Sequence, residues 1–198
     1  MFKFKKPLRA AGFSLLLLTL VFFLTGCFDV YQEIWIGTDP EESTMRATFT
    51  TYSEEIFEMM KAAITADPEG GDVSFETVEA EEPEGETAYR IIQVVPPEEG
   101  MIFTFPYNGG MAYEMRLLSE EGDEEIDETT RELFEGHIYE VELHFPKTIT
   151  DAWWGRVDSE AKIPVEEAII EGNDFYFKTD LLEAMKQEFA YLTVVIRP

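Results

Sequence analysis

The sequence predicts an α+β domain built on a largely antiparallel sheet, with one clear amphipathic helix and a second, short helix near the C-terminus. Three observations predict it. Strand-like runs follow one another across hairpin-type turns instead of alternating with helices. One stretch alone, Ile56, Phe57, Met60, Ala63 and Ile64, repeats apolar residues at clear helical spacing. And in HIYEVELHF, Tyr139, Val141, Leu143 and Phe145 alternate with Glu140, Glu142 and His144, as a strand with one buried and one wet face requires.

The chain opens on MFKFKKPLRA, basic and free of acids, and continues uncharged from Ala10 to Gly26. A basic segment leading into an apolar one is the pattern of a secretory signal. The run is shorter than the roughly 20 residues of a membrane-spanning helix, and Gly12 and Ser14 weaken it, so a signal peptide over residues 1–26 is expected. Leu24, Thr25, Gly26 and Cys27 at its end resemble the lipobox of bacterial lipoprotein precursors. The resemblance implies cleavage between Gly26 and Cys27 and a diacylglyceryl group on the Cys27 thiol, a palmitate-type anchor to the membrane. Two chains hold far better than one, at about 0.8 kcal/mol per buried methylene. The alternative is an uncleaved signal anchor in which Cys27 is a small buried residue. Both place the body on the extracytoplasmic face.

Cys27 is the sole cysteine, so an anchoring role leaves none for the fold. Residues 27–198, read as a single domain, must be held by burial, and a domain of that size buries enough surface. The charge is extreme, 41 acidic against 15 basic residues. Lys3, Lys5, Lys6 and Arg9 leave with the signal, so the mature chain carries 11 basic residues and a formal charge of −30. Such a field repels phosphate backbones and excludes nucleic acid as a partner. It also opposes docking on anionic headgroups, which makes an acyl anchor more necessary.

Only Phe28, Asp29 and Val30 separate Cys27 from the first strand-like run, YQEIWIG, so the body is expected close to the membrane. MRATFTTY follows and leads to the helix, where Ser53 or Thr51 is placed to cap and Thr51 and Glu54 have capping-box spacing. ADPEGGD ends that helix. VSFETVE, AYRIIQVV, MIFTF and MAYEMRLL then read as strands, the second as a central one and the last two as a hairpin across Asn108, Gly109 and Gly110 with a loop slightly longer than the tightest type. SEEGDEEIDETTREL is too acidic to pack and reads as a solvated excursion. After HIYEVELHF, ended by Pro146, KTITDAWWGR reads as a loop. PVEEAII and DFYFKTD flank Glu171, Gly172 and Asn173 as a second hairpin; Asp180 and Glu183 are placed to cap the short helix LLEAMKQ, and AYLTVVI is the last strand.

LTGCFDVYQEIWIG, HIYEVELHFPKTI and EGNDFYFKTDLLEAM together resemble the LppM-like bacterial lipoprotein domain, over nearly all of the mature chain. The resemblance implies a cell-envelope domain of ill-defined biochemical role, and it carries over no catalytic residue.

The chemistry of the residues points away from an enzyme. His137 and His144 are the only histidines; seven apart on one strand, they sit roughly 24 Å from each other and face opposite ways, His137 toward the buried row and His144 toward the wet one. They share no metal or catalytic group, and neither zinc chemistry nor a histidine triad is expected. Ser159 to Lys162 spells SxxK, but the SDN and KTG elements of penicillin-binding enzymes are missing. The acidic runs AEEPEGETAY and SEEGDEEIDE lack EF-hand spacing and read as solvated surface. Trp153 and Trp154 are the most distinctive pair. In extended backbone they face opposite ways, so one is either exposed to a partner or the membrane interface, or packed beneath a loop. These readings lead to a noncatalytic lipoprotein of the cell envelope, without cofactor or metal, that binds an envelope protein or surface component. The alternative is a carrier or sensor enclosing a lipid or other apolar ligand.

Overall fold

The computed structural model describes residues 28–66, 72–80, 86–97, 100–117, 134–160, 162–185 and 190–197. The signal segment, the lipidation residue Cys27 with Gly26, and the acidic run 119–133 lie outside the described residues.

Twelve strands and two helices follow in order among the described residues: β1 (Phe28–Trp35), β2 (Thr44–Thr51), α1 (Glu54–Ala66), β3 (Asp72–Glu79), β4 (Thr87–Val95), β5 (Ile102–Tyr107), β6 (Gly110–Arg116), β7 (Ile138–His144), β8 (Ile149–Trp154), β9 (Ile163–Pro164), β10 (Ile169–Glu171), β11 (Asp174–Asp180), α2 (Leu181–Ala184) and β12 (Tyr191–Ile196). They form two sheets. A seven-stranded sheet has the order β10-β11-β7-β1-β2-β4-β3, and a five-stranded sheet the order β5-β6-β12-β8-β9. The expectation of a largely antiparallel sheet is corrected in one respect. β1 and β7, at the centre of the larger sheet, run parallel, so that sheet is mixed. Parallel neighbours need a long crossover, and everything between Trp35 and Ile138 supplies it.

Local chemistry explains most of the elements. Ser53 caps α1, its Oγ accepting from the Ile56 N–H at 3.4 Å while its own N–H donates to Thr51 Oγ1 at 3.2 Å. Phe57, Met60 and Ile64 then bury their side chains with Ile91 of β4, packed on by Phe49, Phe75 and Tyr89. The β5–β6 turn is tighter than the sequence suggests: Tyr107 pairs with Gly110, and Asn108 and Gly109 alone make the loop, both at positive φ (45° and 79°). Asn-Gly tolerates this left-handed pair, which matches strand twist. Asp180 caps α2 by accepting from the Leu182 N–H at 2.9 Å.

Two segments depart from their reading. KTITDAWWGR is no loop, since Ile149–Trp154 forms β8 and pairs with β12. Burial on both faces at its tryptophan end hides the alternation that would have marked it. PVEEAII is not one strand either: β9 borders the smaller sheet, while β10 borders the larger and pairs with β11 through the Gly172–Asn173 turn.

The main core lies between the sheets. Ile34, Tyr139, Val141, Leu143, Phe175 and Phe177 of the larger sheet meet Tyr113, Met115, Leu192, Val194 and Trp154 of the smaller. The alternation read in HIYEVELHF is realised, with Val141 and Leu143 fully buried. α1 covers the rest of the same inner face, over β2, β3 and β4. The opposite face of the larger sheet carries its polar row outward.

Candidate functional site

Alternation puts Tyr31, Glu33 and Trp35 of β1, Glu140, Glu142 and His144 of β7, and Asp174, Tyr176 and Lys178 of β11 on that outward face. The parallel register sets Glu33 beside Glu142 and Trp35 beside His144, while the antiparallel register on the other side sets Asp174 beside His144. Three strands distant in sequence therefore deliver four titratable groups to one spot.

His144 is the hub. Its Nδ1 lies 2.8 Å from Asp174 Oδ1, and its Nε2 lies 3.4 Å from Glu33 Oε1 and 3.7 Å from Glu142 Oε1. The Trp35 ring stacks on the imidazole at 5.5 Å between centroids, and the Arg46 guanidinium lies over Trp35 at 5.4 Å. The far oxygens of both glutamates are taken: Arg46 Nη1 donates to Glu33 Oε2 at 3.1 Å, and the Tyr31 hydroxyl donates to Glu142 Oε2 at 2.8 Å. Burial by itself would push the His144 pKa down. The hydrogen bonds to Asp174 and Glu33 and the field of Glu142 outweigh it, and the imidazole is held above its ordinary value. Burial, aided by nearby carboxylates, raises the neighbouring phenols as well. Tyr31 is raised far above the usual range by burial and by its bond to Glu142, and Tyr176 is pushed up to about 12 by burial and then by Glu140.

His137 lies just before β7, at the other end, partly buried with its Nδ1 3.6 Å from Asp29 Oδ1. The two histidines are thus apart as expected, but His137 does not head the buried row. Among the described residues, Glu33, Glu142 and His144 form the one group of three metal-ligating side chains whose donor atoms converge, all within 4.8 Å. The sequence contained the wet row of β7; Glu33 and Asp174 were missed, because only the β1–β7 and β7–β11 registers bring them in.

Trp153 and Trp154 do face opposite ways, and neither is exposed. Trp154 enters the main core, edge-on to Phe177 at 4.8 Å. Trp153 packs with Ala112 and Val195 on the outer side of the smaller sheet, where Tyr107 and Val157 flank it and Lys162 Nζ sits 3.6 Å from its ring centroid. Of the two alternatives, exposure to a partner is not realised for either ring and packing is: two separate apolar clusters accommodate the two directions. Lys162 of the SxxK run also donates to the Tyr107 hydroxyl at 2.7 Å, which commits its ammonium to that aromatic corner.

No family model matches the chain, and no curated protein does. Among solved structures, the folded domain of Mycobacterium tuberculosis LppM, determined by NMR, is similar at 9% identity over 88% of this chain and 92% of that one, with a TM-score of 0.38. The LppM-like expectation has that slight structural counterpart, too small to fix fold or function.

Proposed function

We propose that the protein is a noncatalytic binding module of the cell envelope, tethered to the outer side of a membrane by acyl chains on Cys27. The observation that carries this reading is LTGC placed between a basic–apolar leader and β1, which begins at Phe28, the very next residue. Among the described residues no helix is long and apolar enough to cross a membrane. With no tether, the Asp29 end of β1 is held near the bilayer. Trp35, six residues on, lies about 20 Å along the strand at ordinary strand rise, which sets the His144 site at the far end of the sheet.

The outward face supports binding better than catalysis. Among the described residues its carboxylates and phenols are held in fixed, hydrogen-bonded positions, with no hydroxyl or thiol nucleophile hydrogen-bonded to His144. The carrier reading gains no specific support: two clefts, lined by Thr77, Val78, Glu79, Glu86 and Thr87 and by Thr38, Asp39, Pro40, Glu42 and Thr104, are open and mostly polar.

Intact-mass analysis of protein extracted gently from its native membrane tests the anchor. A mature chain starting at Cys27 with a diacylglyceryl adduct is expected, and Cys27→Ser should move the protein out of the membrane fraction. A chain that starts elsewhere or carries no acyl group overturns the reading, and a further stoichiometric lipid beyond the Cys27 adduct would favour the carrier.

A further inference from the structure

We propose that Glu33, Glu142 and His144 bind a divalent transition-metal ion of the zinc type on the outward face of the seven-stranded sheet. The inference gives the binding module a ligand class, and it rests on that reading without depending on the lipid anchor.

Geometry comes first. Tetrahedral coordination with bonds near 2.1 Å places neighbouring ligand atoms about 3.4 Å apart. His144 Nε2 already lies 3.4 Å from Glu33 Oε1 and 3.7 Å from Glu142 Oε1. Only the edge between the glutamates has to close, and it spans no more than 4.8 Å. A proton is a poorer fit for the same gap. Hydrogen bonds of nitrogen to oxygen centre near 2.9–3.0 Å, so one proton on Nε2 is held at a long distance by either carboxylate.

The surroundings fix each donor from behind. Asp174 engages Nδ1 at 2.8 Å, which turns Nε2 toward the carboxylates in the manner of a carboxylate–histidine–metal arrangement. Tyr31 and Arg46 hold the outer oxygens of Glu142 and Glu33, leaving the inner oxygens to converge. With Nδ1 protonated toward Asp174, three lone-pair donors face one point, and a cation among them removes their mutual repulsion. These contacts come from residues outside the ligand set, and the ligands stand on two neighbouring strands whose inner faces are buried, which a chance cluster on a mobile loop lacks. Trp35 adds a flat wall against the imidazole.

Donor chemistry then selects the ion. Imidazole favours zinc and its transition-metal neighbours, whereas calcium seeks six to eight oxygens and magnesium keeps its waters. One imidazole and two carboxylates leave room for water or a donor from a bound partner.

The test uses the full chain purified in detergent and stripped of metal with a chelator. Calorimetric titration with zinc chloride should show one saturable site that excess magnesium does not displace. His144→Gln and Glu142→Gln should each abolish it, Asp174→Asn should weaken it about 10- to 100-fold, and His137→Gln should leave it unchanged. Cobalt(II) should quench Trp35 fluorescence, and Trp35→Phe should remove that quench while binding persists. Absence of saturable zinc binding by the unaltered chain overturns the proposal. So does binding that survives His144→Gln, which would place the ion on the acidic loops, or displacement by magnesium at comparable concentration. None of these outcomes bears on the acyl group at Cys27, whose mass is read separately.

Discussion

The outer faces of the two sheets handle their carboxylates in opposite ways. On the smaller sheet, Glu114 is almost wholly buried: the Val157 N–H donates to its Oε2 at 2.8 Å, and Arg156 Nε lies 3.4 Å from its Oε1. The segment after β8 folds back over it, Thr193 Oγ1 donating to the Gly155 carbonyl at 2.7 Å and Trp153 Nε1 to that of Arg156 at 3.3 Å. On the larger sheet nothing among the described residues folds back over Glu33 and Glu142; each has one oxygen engaged and one turned toward His144. A carboxylate with both oxygens satisfied from its own chain is a fastening. One with an oxygen pinned and the other turned toward a shared imidazole has the arrangement that the proposed metal site uses.

If that contrast is right, the covered face should dominate stability and the open face should dominate binding. The largest effect is expected from Trp153→Ala, which empties the cluster with Ala112 and Val195. It should cost about 3–5 kcal/mol in urea unfolding, and a loss below 1 would show that the covering segment is dispensable. Glu114→Ala comes next. It strands the Val157 amide and removes a charged hydrogen bond, for roughly 2–3 kcal/mol by the same measurement. Glu142→Gln, on the open face, should cost under about 1 kcal/mol, because its ionic contacts are partly solvated; a larger loss would make this face structural too.

The alkaline limit sharpens the comparison further. The Tyr176 phenol is raised from 10 to about 12 in the fold, by burial and then by Glu140. A raised folded pKa means that its contribution to stability is complete below the unfolded value near 10 and drains away as pH climbs toward 12. Stability against urea should therefore fall across that window, and Tyr176→Phe should make the fall shallower. An unchanged slope would show that this phenol titrates normally.

Much of this architecture was legible from local pattern, and the site was not. The buried row of β7, the α1 face and the two glycine-bearing turns follow from spacing and turn chemistry within a few residues of one another. The parallel pairing of β1 with β7 follows from none of these. A chain that returns after a hundred residues leaves no mark in either partner, and with it goes the juxtaposition of Glu33, Glu142 and Asp174 around His144. β8 was hidden for the converse reason: a strand buried on both faces shows no alternation, so the adjacent tryptophans read as a loop pair. Reading one sheet where two exist has the same root, since PVEEAII carries no sign that its two ends serve different borders.

That last segment has a mechanical consequence. Between Pro164 and Ile169 the chain crosses from the rim of one sheet to the rim of the other in a single short turn, closed by the Ala168 N–H on the Val165 carbonyl at 3.1 Å. It acts as a stitch, so neither layer can slide far over its neighbour while the stitch is whole. A protease nicking it would loosen two hems in one event, and each unpaired margin would invite another molecule to add a strand.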